Sequence, residues 1–203
     1  MIIKTFIKPP IENNNYLLID EISKEAALID CSSFDEEILS ELKKNNATLK
    51  YVLLTHGHFD HISGLNDISS DVKVFMHFAD SNWVNNVNTY LPMLGMPLMN
   101  IPQIDYYISD NEIIKLGNLE IKVIHTPGHT QGGVCFYTGN ILFSGDTIFR
   151  ESVGRCDLEG GDFDQIVESI EQRIFTLPPE TVIYPGHGYK TTVGWEKEHN
   201  RFM

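Results

Sequence analysis

The chain is short of cysteine, of basic residues and of long apolar runs, and each shortage excludes something. Its three cysteines, Cys31, Cys135 and Cys156, stand far apart with no C-x-x-C among them. An odd, scattered set offers no disulfide framework, so free thiols in a reducing compartment are expected. Lys and Arg total 15 against 28 Asp and Glu, a formal net charge of −13. So acidic a surface repels phosphate backbones and anionic lipid, so neither a nucleic acid nor a membrane is expected as partner. No stretch approaches the ~20 apolar residues of a spanning helix. The opening MIIKTFIKPPIENNN breaks its apolar pieces with Lys4, Lys8 and two prolines. It has neither the continuous apolar region nor the small-residue cleavage site of a secretory leader. A cytoplasmic location is the expectation.

What remains is ordinary for a folded chain. Apolar residues make up 42% and charged residues 21%, which excludes disorder and fibres. No repeat or Gly/Ser linker divides the sequence, so residues 1–203 are expected to form one domain with a real core. MIIKTFI, NYLLID and AALID are short β-rich runs. SFDEEILSELKKNN reads as a helix, with Ser33 and Glu36 at capping-box spacing, acids first and lysines last. YVLL and VKVFMH read as strands, and ADSNWVNNV as a short helix. YYI, EIIKL, LEIKVIHT, GVCFYT and NILFSGD continue as strands. GDFDQIVESIEQRIFTL is helical, with Asp162 and Gln165 at cap spacing. TVIYPG is a last strand and WEKEHNRF a terminal helix. Meandering strands with few helices predict an α+β fold: two mixed sheets face to face, helices outside. A doubly wound sheet would need helices alternating throughout.

The densest chemical signal is YVLLTHGHFDHISG, where an apolar strand runs into His56, His58, Asp60 and His61. His56 and His58 are two apart, so in extended backbone both rings project to one side. Asp60 and His61 fall where the chain turns, and can reach back from another angle. Imidazole nitrogen and carboxylate oxygen are zinc donors. His129 follows another strand in TPGHTQGG, where Gly128 permits an unusual backbone angle that aims the ring inward. Asp146 follows ILFSG and His187 follows VIYPG. Each donor therefore lies just past an apolar strand, where functional residues of layered folds gather.

The series T-H-x-H-x-D-H, P-G-H-T, G-D and P-G-H-G resembles the metallo-β-lactamase superfamily. Within it, the closest likeness is to the short bacterial branch of the glyoxalase II-like (hydroxyacylglutathione hydrolase-like) thioester hydrolases. The resemblance runs from NYLLID to the end of the chain. It implies a four-layer αββα sandwich with a dinuclear metal site at the edge between the sheets. His56, His58 and His129 would hold one ion, Asp60, His61 and His187 the other, and Asp146 would bridge them. Two divalent ions are implied, zinc first for such donors, with iron and manganese fitting similar sites. They would lower the pKa of bound water to about 7, and the resulting hydroxide would attack a carbonyl. Asp60 and Asp146 are thus the expected catalytic side chains, and the substrate a thioester such as S-lactoylglutathione or a related acyl-thiol.

The resemblance also sets limits. The commonest zinc β-lactamases carry cysteine where Asp146 stands, so antibiotic hydrolysis is not expected. Flavo-diiron proteins carry glutamate in place of His58. A persulfide dioxygenase, with one iron on residues matching His56, His129 and Asp146, is the alternative; a lactonase or other small-ester hydrolase is a further one. The chain ends soon after the last motif, so the C-terminal helical glutathione-binding domain is expected to be missing, which puts glutathione in doubt. Arg155, in VGRC, matches a basic residue that touches glutathione in the family; an ion pair with Asp157 or Asp162 is the other reading. The Met-rich WVNNVNTYLPMLGMPLMNIPQI reads as a loop packed on the core or in a dimer contact, with a lid as the other possibility. Asp30 is a candidate for orienting a ligand histidine.

Overall fold

The computed structural model describes residues 1–203. The first half forms a six-stranded sheet in sequential order: β1 (Ile2–Lys8), β2 (Asn13–Ile19), β3 (Glu25–Ile29), β4 (Thr48–Leu53), β5 (Lys73–His77) and β6 (Tyr106–Ile108). β1, β2 and β3 pair antiparallel; β3 to β6 pair parallel. The second half supplies β7 (Ile113–Leu116), β8 (Leu119–His125), β9 (Val134–Thr138), β10 (Ile141–Gly145), β13 (Val182–Pro185) and β14 (Thr191–Thr192), ordered β14-β13-β10-β9-β8-β7. A two-stranded ribbon, β11 (Ile148–Phe149) and β12 (Ser152–Val153), stands apart. Helices α1 (Glu36–Lys44), α2 (Phe59–Ile62), α3 (Ser81–Asn85) and α4 (Val87–Tyr90) follow strands of the first sheet. Helix α5 (Phe163–Ser169), which continues in a wider π-type turn over Ile170–Ile174, and α6 (Val193–His199) follow strands of the second.

The layering follows from side-chain alternation. Every residue of β2 is buried, because both faces of its sheet are covered. Tyr16 and Leu18 point into the space between the sheets and meet Phe136, Phe143 and Val123. Leu17 and Ile19 point the other way, into a layer with Ile38 and Leu42 of α1. On the far side Ile124, Cys135 and Leu142 pack on Ile166, Ile170 and Ile174. The fold expected from the sequence is therefore present, a helix-sheet-sheet-helix sandwich. One cap differs: Asp35, not Ser33, precedes α1, and its carboxylate accepts from the Glu37 and Ile38 backbone N–H groups. An extended Asp at that place presents two acceptor oxygens where the Ser33–Glu36 spacing would have started the helix earlier. Asp162 caps α5 as expected, accepting from the Gln165 N–H. No helix is long and apolar enough to cross a membrane.

Strand direction decides where function can gather. β3, β4 and β5 run parallel, so Asp30, His56 and Asp80 all emerge at one edge. β8 and β10 each pair antiparallel with β9, and β13 runs parallel to β10, so Thr126, Asp146 and Gly186 emerge together too. β2 runs against β3, so Asn13 starts at that same edge.

At the opposite end Asp20 ties the two sheets together. Its carboxylate accepts from the Asn118 backbone N–H and side-chain amide, each at 2.8 Å, and from Ser23 and Ile22 N–H groups. Those hydrogen bonds, led by the Asn118 backbone, hold its pKa well below the ordinary carboxylate value. A depressed pKa stabilises the fold above the unfolded-state value of about 3.9 and loses its effect as pH falls towards the folded-state one. Asp20→Ala should lower the thermal unfolding midpoint at pH 7 with metal content unchanged. The gap from the parent should hold down to about pH 4 and narrow below it; scans across pH check this, and a gap indifferent to pH would deny the carboxylate its role.

Candidate metal centre

All seven expected donors lie at the shared edge of the two sheets. Their atoms form three overlapping groups, each within 4.8 Å: His56, His58 and His129; His56, His61 and Asp146; Asp60, His61 and His187. His58 Nδ1 sits 3.1 Å from His56 Nε2 and 3.0 Å from His129 Nε2, near the ~3.3 Å edge of a tetrahedral zinc site with 2.0–2.1 Å bonds. Asp146 lies between the groups, Oδ1 3.5 Å from His61 Nε2 and Oδ2 3.6 Å from both His129 and His187 Nε2. Asp60 Oδ2 is 3.3 Å from the Nε2 atoms of both His61 and His187.

Outer hydrogen bonds decide which ring nitrogens face inward with lone pairs. His129 Nδ1 is 2.7 Å from the Arg155 carbonyl, which only accepts, so Nδ1 carries the proton and Nε2 does not. The Thr55 hydroxyl donates to Asp30 at 2.8 Å and so accepts from His56 Nδ1 at 3.1 Å, leaving His56 Nε2 bare. His61 Nδ1 donates to Asp30 Oδ2 at 2.8 Å, turning its Nε2 towards Asp60 and Asp146. Asp30 orients a histidine, as the sequence suggested, from a left-handed backbone position with φ 57°.

The interior is arranged for a cation. Asp146 Oδ1 is buried with no hydrogen-bond partner, which costs free energy unless a positive charge faces it. Burial, with His61 and His58 as neighbours, puts the His56 pKa well below the ordinary histidine value. Burial and His129 push His58 down to about 3. Both are therefore neutral at pH 7, as ligands must be. Burial opposes charge on His61, but Asp60, Asp30 and Asp146 outweigh it and raise the pKa well above the ordinary value; those carboxylates favour positive charge there, which a bound ion would supply in place of the Nε2 proton. Burial would raise Asp60, yet His61 and His187 hold it below the carboxylate range. Nitrogen lone pairs and carboxylates converging in this way suit divalent ions such as zinc or iron.

Local backbone makes the approach possible. Gly128 has φ 136°, and a Cβ there would stand 2.3 Å from the Ile166 nitrogen, so the His129 bend needs glycine. A Cβ on Gly186 would meet Asp146 Oδ1 at 2.1 Å, so the His187 loop also needs it.

Two supports were not singled out in the sequence. Asp80, fully buried, accepts from Gly57 N–H at 2.9 Å, Gly132 N–H at 2.6 Å and the Thr130 hydroxyl at 2.8 Å. It thereby joins the loop of His56 and His58 to that of His129. Asn13, Asn14 and Asn15 form the second. Asn15 fixes the Asn13 amide oxygen at 2.5 Å, and the Asn13 nitrogen lies against both His61 ring nitrogens. Asn14 bonds Gly186, Pro185 and Gly188 around His187. Three buried asparagines opening an apolar strand were the available signal; Asp80 left none.

The Arg155 guanidinium makes a two-bond fork with Asp157, at 2.7 and 2.8 Å, and also lines the cavity above the donors. The Met-rich segment does two things. Val84, Val87 and Leu91 pack into the core, while Trp83, Tyr90, Met93, Leu94 and Met96 wall that cavity.

Comparison with known proteins agrees with this arrangement. A family model described as the metallo-beta-lactamase superfamily matches residues 10–187. Hydroxyacylglutathione hydrolase GloC of Haemophilus influenzae is 31% identical, over 93% of this chain and 92% of its own. The crystal structure of the BLEG-1 B3 metallo-beta-lactamase superposes with a TM-score of 0.90 at 34% identity, covering 99% of each chain. That of TTHA1623 in a di-iron-bound form gives 0.88 at 32%, covering 98% of this chain and all of that one. The expectation against antibiotic hydrolysis rested on the cysteine-bearing zinc type, and the likeness to BLEG-1 reopens it.

Asp30→Asn puts an amide where the Thr55 backbone N–H, the Thr55 hydroxyl and His61 Nδ1 all need acceptors. It should weaken metal retention about 10- to 100-fold, the usual effect of losing an outer partner. Competition against a chromophoric chelator measures this, and unchanged retention would show that Asp30 serves the fold alone.

Proposed function

Because the chain belongs to the metallo-beta-lactamase superfamily, we propose that it is a metal-dependent hydrolase acting on thioesters. The observation that carries the reading is the convergence of seven donors, of which His58, Asp60, His129, Asp146 and His187 line a cavity of about 970 Å³. His56, His58 and His129 would hold one ion and Asp60, His61 and His187 a second, with Asp146 lying between the two groups and available to both. Zinc is the first choice for these donors, and the di-iron-bound relative supports iron as the other. When bound, such ions supply an acidified water and polarise a carbonyl.

The chain's own residues do the rest. Asp30 and the Arg155 carbonyl hold the protons of His61 Nδ1 and His129 Nδ1, so both rings keep one tautomer. Trp83 stands edge-on to the His58 ring, centroids 4.4 Å apart, and screens that side from water. His187, a quarter exposed, is the donor nearest the solvent. In the overall reaction, the oxygen of water bonds to the acyl carbon and the carbon–sulfur bond breaks. The sulfur takes one proton of the water to leave as thiol, and the acid is released as carboxylate and a proton. No serine or cysteine nucleophile is needed: Cys31 and Cys135 are buried, and burial pushes the Cys31 thiol well above its ordinary pKa and Cys135 up to about 11. Thioesters are preferred because of the likeness to GloC, whose name states that activity.

The purified chain should hold about two metal ions, lose activity to a strong chelator, and turn over members of a panel of acyl-thiols. The same panel should include a lactone, a β-lactam and a persulfide. Turnover of the β-lactam alone would reassign the substrate. One tightly held iron with oxygen uptake on the persulfide would move the protein to dioxygenase chemistry.

Two substitutions separate ligand from substrate contact. Asp146→Ala should release more than one ion's worth of metal and cost kcat more than the roughly 100-fold of an outer-partner loss. A mutant with normal metal and turnover would sink the dinuclear reading. Arg155→Ala should keep its metal and chiefly raise KM; a fall in kcat alone would contradict a binding role.

A further inference from the structure

The cavity above the donors has one wall made almost wholly of apolar side chains. Trp83, Tyr90, Met93, Leu94, Met96 and Leu158 line it. The wall is built rather than incidental. The Tyr90 ring packs on Trp83 with centroids 4.8 Å apart, and its hydroxyl donates to Glu159 Oε2 at 2.8 Å, joining α4 to the loop that carries Leu158. Trp83 in turn leans on the His58 ring. At the mouth, Met93 is 79% and Leu94 57% exposed, large apolar side chains held in water beside the site. Methionine there fits varied apolar shapes.

Charge points the same way. Arg155 is the only cationic side chain other than histidine in the lining, and it is already in a two-bond fork with Asp157. The lining acids are Asp60, Asp146 and Glu159. A thiol bearing two carboxylates, as glutathione does, would leave water for this wall and find no lysine or arginine beyond Arg155, which is already paired. Burying a charge without a partner is costly.

Resting on the thioester-hydrolase reading, we propose that the preferred substrates carry an uncharged, apolar body next to the thioester, and that this wall binds it in preference to an anionic thiol. The apolar body sits either on the acyl side or on the thiol side of the carbonyl, and the experiment separates the two.

Metal-loaded full-length protein is assayed by thiol release on two neutral series. One carries acetyl, butanoyl, hexanoyl and octanoyl groups on N-acetylcysteamine; the other carries acetyl on alkanethiols of rising length. Each acyl group is also tested on glutathione. In one series kcat/KM should rise about fourfold per buried methylene until the wall is covered. At equal acyl group the glutathione ester should be the poorer substrate. Met93→Ser and Leu94→Ser, both at exposed positions, should flatten that rise, with metal content confirming an intact site. Flat profiles in both series, or glutathione esters preferred at every length, would overturn the proposal. Failure of every thioester by a fully metallated enzyme would instead overturn the hydrolase reading beneath it.

Discussion

Lone pairs and carboxylates crowded at hydrogen-bond distance repel one another, and the rest of this structure answers that repulsion. Three imidazole nitrogens at about 3 Å, and a carboxylate oxygen with no hydrogen-bond partner, are stable only around positive charge. A flexible peptide with the same residues would turn its rings outward to water. Here it cannot. Asp30 fixes His61 and, through Thr55, His56; the Arg155 carbonyl fixes His129; Asn13 lies on His61. The unfavourable convergence is sustained by hydrogen bonds one layer further out, so the site is already arranged for an ion.

That outer layer depends in turn on the sandwich. The donors come from loops beyond β4 of the first sheet and β8, β10 and β13 of the second, all interior strands. A loop at a strand end inherits the rigidity of the strand, and these strands are buried on both faces. Asp80 then ties a loop of the first sheet to a loop of the second. The acidic surface has no part in this, although its sign agrees with a site meant for cations and a neutral substrate.

Much of this was legible in the sequence, for local reasons. The strands are short apolar runs bounded by turn residues, and Asp162 with Gln165 marks a helix start that the structure reproduces. His56, His58, Asp60 and His61 are close enough in the chain to be read as one cluster. Asp80 was not legible as a site residue, and the run of three asparagines marked a place without its partners, which lie up to about 170 residues away. Ser33 misled for the opposite reason: the spacing to Glu36 was right, but Asp35 is the better acceptor at a position nearer the helix. The cavity wall was only half legible: the Met-rich segment admitted both a packed loop and a lid, since apolar residues facing a substrate and apolar residues facing a core look alike in a sequence.

The two sheets are joined at both ends: Asp20 to Asn118 far from the site, and Asn14 to Gly186 beside it. Two boards pinned at one end can still slide or fan; pinned at both, they keep their alignment. A shift of one residue's rise along a strand, about 3.3 Å, sets the scale. The separations between Asp146 and the histidines around it are 3.5–3.6 Å. A shift of that size between the halves would therefore undo the centre entirely. The double fastening turns a loose stacking of sheets into a gauge with a tolerance finer than its own graduation.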